Sequence, residues 1–211
     1  MKDTTLELFS GTGSFSKVAK KLGHKTFTID NDVSLNPNLV QDIIDLREDQ
    51  LPYKPDIIWA SPPCETFSVA SISHHWKGGK RAYIPKTDKA VLGIEKVEST
   101  LDLIDQLKPK YWFIENPRGV LRNLPVMQGL HRVTVTYCQY GDTRMKPTDI
   151  WTNLLDWKPR PMCKNGDDCH ISAPRGSKTG TQGLKNAKLR GVIPPELFEE
   201  IFEAVDLAPS K

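Results

Sequence analysis

Residues 56–64 read Asp56-Ile57-Ile58-Trp59-Ala60-Ser61-Pro62-Pro63-Cys64. Four consecutive apolar residues leave no polar face, so the run predicts a strand covered on both sides, as in a parallel sheet. Two prolines then end the ladder, because proline has a fixed φ and no N–H to donate. Outward from this stretch, apolar runs and helical periods alternate. L-E-L-F (6–9) predicts a first strand, followed by Gly11-Thr12-Gly13 and a helical stretch that ends at Gly23. K-T-F-T-I-D (25–30) alternates as a second strand, and L-V-Q-D-I (39–43) offers a weak third. Residues 90–107 place Ile94, Val97, Leu101 and Ile104 on one helical face. Y-W-F-I-E-N (111–116) and R-V-T-V-T-Y-C (132–138) follow as strands. Pro194-Pro195 open a last amphipathic helix carrying Leu197, Phe198, Ile201, Phe202 and Val205. Proline is tolerated in a first helical turn. Strands alternating with helices predict a doubly wound α/β domain.

In an open α/β sheet, ligands bind outside the carboxyl ends of the strands. Past the first strand comes S-G-T-G-S, past the second Asp30, and in the third Asp42. Past the fourth comes S-P-P-C, and Y-W-F-I runs into Glu115-Asn116-Pro117. A glycine loop, acids, a thiol and a further carboxylate therefore share one predicted rim. Asp30, nineteen residues after Gly11, stands where an acid can accept hydrogen bonds from both ribose hydroxyls of an adenosine. Asp42 can receive the adenine amino group. No lysine follows the glycines as in a phosphate-binding loop, so the ligand need not carry phosphates; S-adenosylmethionine fits. Cys64, lifted to the rim by the prolines, is a candidate nucleophile, with the basic loop after it as a source of a lowered thiol pKa. Glu115, closing an apolar strand, is a candidate acid or hydrogen-bonding partner.

The 211 residues suit one domain, and 38% hydrophobic with 26% charged residues is ordinary for a globular chain. A net charge of +3 is too small to point at nucleic acid, but its distribution is uneven. Residues 69–92 hold Lys77, Lys80, Arg81, Lys86 and Lys89 against Asp88. Residues 154–191 hold Lys158, Arg160, Lys164, Arg175, Lys178, Lys185, Lys188 and Arg190 against Asp156, Asp167 and Asp168. Such loops suit a phosphate backbone, since neutralising phosphates releases counterions. No apolar run approaches the roughly 20 residues of a membrane span, and M-K-D-T-T-L-E-L-F is no signal peptide; the expectation is an intracellular, cytoplasmic protein without a membrane partner. The four cysteines predict reduced thiols rather than a disulfide framework. Cys163, Cys169 and His170 could supply three soft ligands of a zinc site, with Cys138 a distant fourth. Their spacing is not that of a standard finger, so no metal is expected.

The motifs together resemble the cytosine-C5 methyltransferases, the family that includes the bacterial modification methylases. L-E-L-F-S-G-T-G-S-F-S-K-V-A-K-K-L-G-H (6–24) resembles the family's cofactor loop, P-P-C-E-T-F-S (62–68) its catalytic-cysteine motif and K-P-K-Y-W-F-I-E-N-P (108–117) its glutamate motif. Q-Y-G-D-T-R-M-K (139–146) and V-I-P-P-E-L-F-E-E-I (192–201) resemble the two later motifs, all in family order. The resemblance implies a Rossmann-like class I methyltransferase sheet that transfers a methyl group from S-adenosylmethionine to C5 of a flipped cytosine through a Cys64–C6 adduct. It assigns Cys64, Glu115, Arg144 and Lys146 to catalysis. Phe9, Ser10, Gly11, Thr12, Gly13, Ser14, Asp30, Asn31, Asp42, Ile43 and Pro62 fall in its cofactor positions. Pro63, Ser68, Trp76, Lys77, Lys80, Arg81 and Asn116 fall toward the substrate, with Trp76 and the Gly78-Gly79 hinge in a mobile lid.

Residues 1–150 would form the catalytic and cofactor-binding unit, 151–190 a short basic insert in place of the family's larger recognition domain, and 191–211 a helix packing back. So short an insert implies relaxed or very short sequence specificity, or a protein partner that supplies it. Arg190-Gly191-Val192-Ile193 replaces the family's usual glycine-asparagine, and Lys146 stands where arginine is common, which loses bidentate geometry. DNA is the expected substrate. Transfer RNA is the alternative within the same chemistry, and a catalytically silent cofactor- or nucleic-acid-binding module the alternative outside it.

Overall fold

The fold is taken from a computed structural model that describes residues 2–79, 82–172 and 187–209. Seven strands form one sheet: β1 (Thr4–Leu8), β2 (Lys25–Asp30), β3 (Leu39–Val40), β4 (Ile57–Ala60), β7 (Tyr111–Pro117), β8 (Arg132–Thr136) and β9 (Pro147–Thr152). Their order is β3-β2-β1-β4-β7-β9-β8. The first five are mutually parallel, and β9 runs antiparallel between β7 and β8. A two-stranded ribbon, β5 (Trp76–Lys77) with β6 (Ile84–Pro85), stands apart. The helices are α1 (Ser14–Lys21), α2 (Ile72–His75), α3 (Asp88–Leu107), α4 (Ala187–Gly191) and α5 (Pro195–Leu207). This is the doubly wound α/β fold expected from the sequence.

The period of two along the strands sorts their side chains between two cores. Leu6, Leu8, Ile58, Ala60 and Ile114 face Val97, Ile104 and Leu107 of α3. Ile57, Trp59, Tyr111 and Phe113 face Phe15 and Val18 of α1 and Phe198, Ile201 and Phe202 of α5. Trp59 is the hub of the second layer: Phe15 stacks on it at 5.8 Å, and Phe198 meets it edge-on at 4.8 Å. All four residues of β4 are buried, as the continuous apolar run requires.

Two expectations are corrected. The third strand is only Leu39–Val40, because Asp42 leaves the ladder to cap a 3-10 turn, accepting from the Ile44 N–H at 3.3 Å. β9 went unread in the sequence, and it crosses the boundary set at residue 150. Trp151 and Thr152 belong to the sheet, and Leu154 and Trp157 are buried against the second core. Trp157 meets Phe113 edge-on at 6.2 Å and donates its indole N–H to Glu200 of α5 at 3.0 Å. The start of the insert is therefore core, held by apolar side chains and by Arg160, which pairs with Glu196 and Glu200 of α5. Among the described residues no helix is long and apolar enough to cross a membrane.

Candidate active site

Register places the site. β4 pairs with β7 from Ile57 opposite Tyr111 to Ala60 opposite Ile114, so Glu115 lies one step past the last β4 residue, beside the loop that starts at Ser61. β1 pairs with both β2 and β4, with Leu8 opposite Ile29 and Ala60, which brings Phe9, Asp30 and Ser61 to the same rim.

The Cys64 loop is pinned from three sides. The amides of Phe67 and Ser68 both bond back to the Cys64 carbonyl, at 3.1 and 3.0 Å. Asn116 is fully buried and donates its side-chain N–H to the Pro62 carbonyl at 2.9 Å. Trp76, also buried, donates its indole N–H to the Thr66 carbonyl at 2.7 Å and packs against Phe67. At Gly119 a Cβ would stand 2.1 Å from the Phe67 carbonyl oxygen, so only glycine lets the segment after β7 approach this loop. Asn116 and Trp76 thus hold the loop through its backbone carbonyls. Pro63 and Lys77 are exposed and Ser68 half-buried, bonded to Ser71 across the turn; Lys80 and Arg81 lie outside the described residues. So do Arg175, Lys178 and Lys185 of the insert.

Cys64 itself is half-buried, and its thiol is held above the ordinary thiol range. Burial is the main cause, the charge of Glu115 adds to it, and Lys146 opposes both. The expected lowering by the following basic loop is not what this geometry gives, because burial and the Glu115 charge together outweigh the cation that opposes them. Glu115 is buried and accepts a hydrogen bond from the Tyr137 hydroxyl at 3.1 Å. Tyr137, wholly buried, has its own pKa raised by burial and by Glu115. It carries Lys146 over its ring at 4.7 Å and Arg144 at 5.8 Å. Tyr137 was missed in the sequence because it ends an apolar strand run and reads as core. Only its partner, fixed by β9 lying between β7 and β8, reveals its role.

Arg144 is nearly fully buried and its donors are committed. It pairs with Asp142 and donates to the carbonyls of Leu189, Arg190 and Val192 at 2.9–3.1 Å. Burial would raise the Asp142 pKa, but these bonds and the arginine's charge outweigh it and the net shift is down. Arg144 therefore clamps the chain entering α5, with its guanidinium donors taken up by Asp142 and these carbonyls. Lys146 donates to the Arg190 carbonyl at 3.0 Å and is the cation that acts on Cys64.

On the other half of the rim, Ser10 turns the chain, with its amide on the Ile29 carbonyl at 3.0 Å and its carbonyl receiving the Gly13 amide at 2.7 Å. Phe9, Gly11 and Gly13 all take positive φ, and Gly13 at φ 68° is the N-cap from which Ser14 starts α1. Thr12 and Ser14 share a hydroxyl contact at 3.1 Å. Glu7 was also missed in the sequence. Buried beneath the loop, it accepts from the amides of Phe15 and Ser16 at 3.2 and 2.9 Å. A carboxylate suits a helix N-terminus; burial nevertheless pushes its carboxyl up to about 7.

Phe9, Asp30, Asn31, Asp42 and Ile43 line one recess with Gln41 and Lys96. Asp30 accepts the Gly11 amide at 2.9 Å on one oxygen and the Asp32 amide at 3.0 Å on the other. A carboxylate has about four lone-pair sites, so two remain for ribose hydroxyls. Asp42 is more committed: it accepts from Lys96 at 2.7 Å and Asn31 at 3.0 Å besides its capping bond. Burial raises its pKa, but these bonds outweigh it and the net shift is down. Lys96 is a lysine on the buried face of α3, and that anomaly is the signal that could have found it. The recess presents carboxylate oxygens of Asp30 and Asp42.

The four soft ligands come together. Cys138, Cys163, Cys169 and His170 lie with their ligand atoms all within 4.8 Å of one another, so Cys138 is not distant.

Comparisons with known proteins bear on the family and the fold. The family model described as C-5 cytosine-specific DNA methylase matches residues 4–125, more than half of the chain. A probable DNA (cytosine-5)-methyltransferase of Frog virus 3 (isolate Goorha) is 29% identical over 214 residues, covering 94% of this chain and 98% of that protein. Among solved structures, the Entamoeba histolytica methyltransferase EhMeth matches with a TM-score of 0.54 at 14% identity, over 78% of this chain and 57% of that one. A Spodoptera frugiperda DNMT2 mutant matches with a TM-score of 0.48 at 19% identity, over 82% and 58%. The chain thus spans just over half the length of these structures. The likeness to EhMeth is one of fold. The matched residues carry the glycine loop, the Cys64 loop and Glu115, and the chain belongs to the C-5 cytosine-specific DNA methylase family.

Proposed function

We propose that the protein methylates C5 of cytosine in DNA, with S-adenosylmethionine as methyl donor and Cys64 as covalent nucleophile. The observation that carries the reading is the placement of Cys64 and Glu115 on one rim, one strand apart, close enough that the carboxylate's charge acts on the thiol. The recess at Asp30 supports the choice of cofactor, since it offers carboxylate acceptors and no phosphate-binding lysine after the glycines. When bound, S-adenosylmethionine supplies an electrophilic methyl group.

The residues then divide the work. Cys64 adds to C6 through its sulfur, and the displaced π electrons make C5 nucleophilic toward the methyl group. Glu115 hydrogen-bonds or protonates N3, stabilising the negative charge that addition pushes into the ring. Afterwards a base takes the C5 proton, the Cys64–C6 bond breaks, and the thiolate leaves with its electron pair. Tyr137 fixes the Glu115 carboxylate, and Lys146 favours the thiolate. The cytosine must leave the base stack to reach Cys64, so the base is flipped. The shortness of the insert, whose start is committed to the core, supports a very short target or a protein partner that supplies specificity.

The test presents duplex DNA of mixed sequence and transfer RNA separately, each with methyl-labelled cofactor. Label on cytosine C5 of DNA is the expected result. Label on RNA alone would move the substrate, and label on neither would overturn the reading.

A further inference from the structure

Three cysteines and a histidine meet at the end of β8. Cys138 sits in the turn after that strand, beside Tyr137; Cys163, Cys169 and His170 come from the insert. Cys138 Sγ lies 3.0 Å from Cys163 Sγ and 3.6 Å from Cys169 Sγ. His170 Nδ1 lies 3.8 Å from Cys163 Sγ and 3.6 Å from Cys169 Sγ. A tetrahedral zinc with Zn–S of about 2.3 Å and Zn–N of about 2.0–2.1 Å needs S···S edges of about 3.8 Å and S···N edges of about 3.5 Å. Three of the four distances sit within about 0.3 Å of those edges. The Cys138–Cys163 pair is shorter than a zinc edge and well beyond the roughly 2.05 Å of a disulfide.

The backbone holds the ligands in place without any ion. The Cys163 amide donates to the Thr136 hydroxyl at 3.1 Å, which ties the first insert ligand to β8. The Ile171 amide donates to the Thr143 carbonyl at 2.9 Å, just past the last ligand. Between them, Lys164 and Asp167 close a tight turn, the Lys164 amide on the Asp167 carboxylate at 2.7 Å. Two of the thiols are buried, and thiols satisfy one another poorly as hydrogen-bond partners. A soft cation accounts for the convergence of all four.

We propose that Cys138, Cys163, Cys169 and His170 hold one structural zinc ion. Four protein ligands leave no open position, which separates the site from catalysis by metal-bound water. Three thiolates and an imidazole in tetrahedral arrangement favour zinc over the hard cations. The ion staples the insert to the turn that carries Tyr137, and so to the partner of Glu115. The proposal is independent of the methylation chemistry.

The full chain, purified under reducing conditions and also reconstituted from its chelated form with zinc chloride, should bind one zinc per chain by elemental analysis. Chelation should lower its melting temperature, and zinc should restore it. The double variant Cys169→Ser/His170→Ala, with its changes away from the core, should weaken zinc binding by more than the roughly 10–100-fold that losing an outer-shell partner costs. His170→Cys, which keeps four ligands, should retain the ion. Three outcomes would overturn the proposal: no zinc bound with all thiols reduced, zinc retained undiminished by the double variant, or a Cys138–Cys163 disulfide in metal-free protein of unchanged melting temperature.

Discussion

The carboxyl rim of the parallel strands and the segment after β8 assemble function by different means. On the rim, position follows from backbone register: Asp30 ends β2, the Cys64 loop follows β4, and Glu115 stands one step beyond the β4 pairing. After β8, no register carries the residues. Arg144 reaches carbonyls 45 to 48 residues away, and Cys138 meets a thiol 25 residues on. There, each side chain is placed by the need to satisfy buried polar groups. The rim can therefore be altered one side chain at a time with the fold intact, whereas the second region couples function to stability.

That contrast can be broken in four places. The largest effect is expected at Cys64→Ser: methyl transfer should fall by about 10⁴-fold or more while the denaturation midpoint barely moves, since serine fills the same half-buried space. Single-turnover label transfer and a chemical melt check both halves. Glu115→Gln should cost about 10²–10⁴-fold in kcat, because the amide keeps a hydrogen bond but has no proton to give. A Glu115→Gln protein with undiminished single-turnover methyl transfer would show that the carboxyl gives no proton in the reaction.

Arg144→Ala tests the opposite region. Leaving Asp142 partly buried without its partner should cost about 3 kcal/mol of stability in denaturant melts. A stable, inactive Arg144→Ala would instead return the arginine to the base. The smallest effect is expected at Tyr137→Phe, which removes one hydrogen bond to a buried carboxylate, worth about 1.5 kcal/mol and thus about tenfold in kcat. Because Tyr137 acts through Glu115, its loss should cost little further kcat in a Glu115→Gln background; an equal loss of stability in both backgrounds with kcat unmoved would make it core alone.

The same contrast explains what could be read from the chain. The strand at 57–60 was legible because an unbroken apolar run has few alternatives, and Cys64, Asp30 and Glu115 followed from asking what lies past each strand. β9 was not, since Pro147-Thr148-Asp149 looks like a turn. In the fold Asp149 is fully buried and satisfied by Arg122 and Thr134, a pairing invisible in one dimension. The bonds of Asn116 and Trp76 to the Pro62 and Thr66 carbonyls of the Cys64 loop could not be read from the chain, because they join segments that are far apart in sequence or are set by the turn geometry. Cys138 seemed remote for the same reason, standing 25 residues before Cys163 but in contact with it across the end of β8.

The central claim is that Cys64 bonds to the base. Duplex DNA carrying 5-fluorocytosine has no C5 proton to lose, so after methyl transfer the adduct has no route to release. With S-adenosylmethionine present, the account predicts a covalent protein–DNA species whose peptide map places the link on Cys64, absent from Cys64→Ser. No adduct across varied DNA sequences, or a link at any other cysteine, would contradict it.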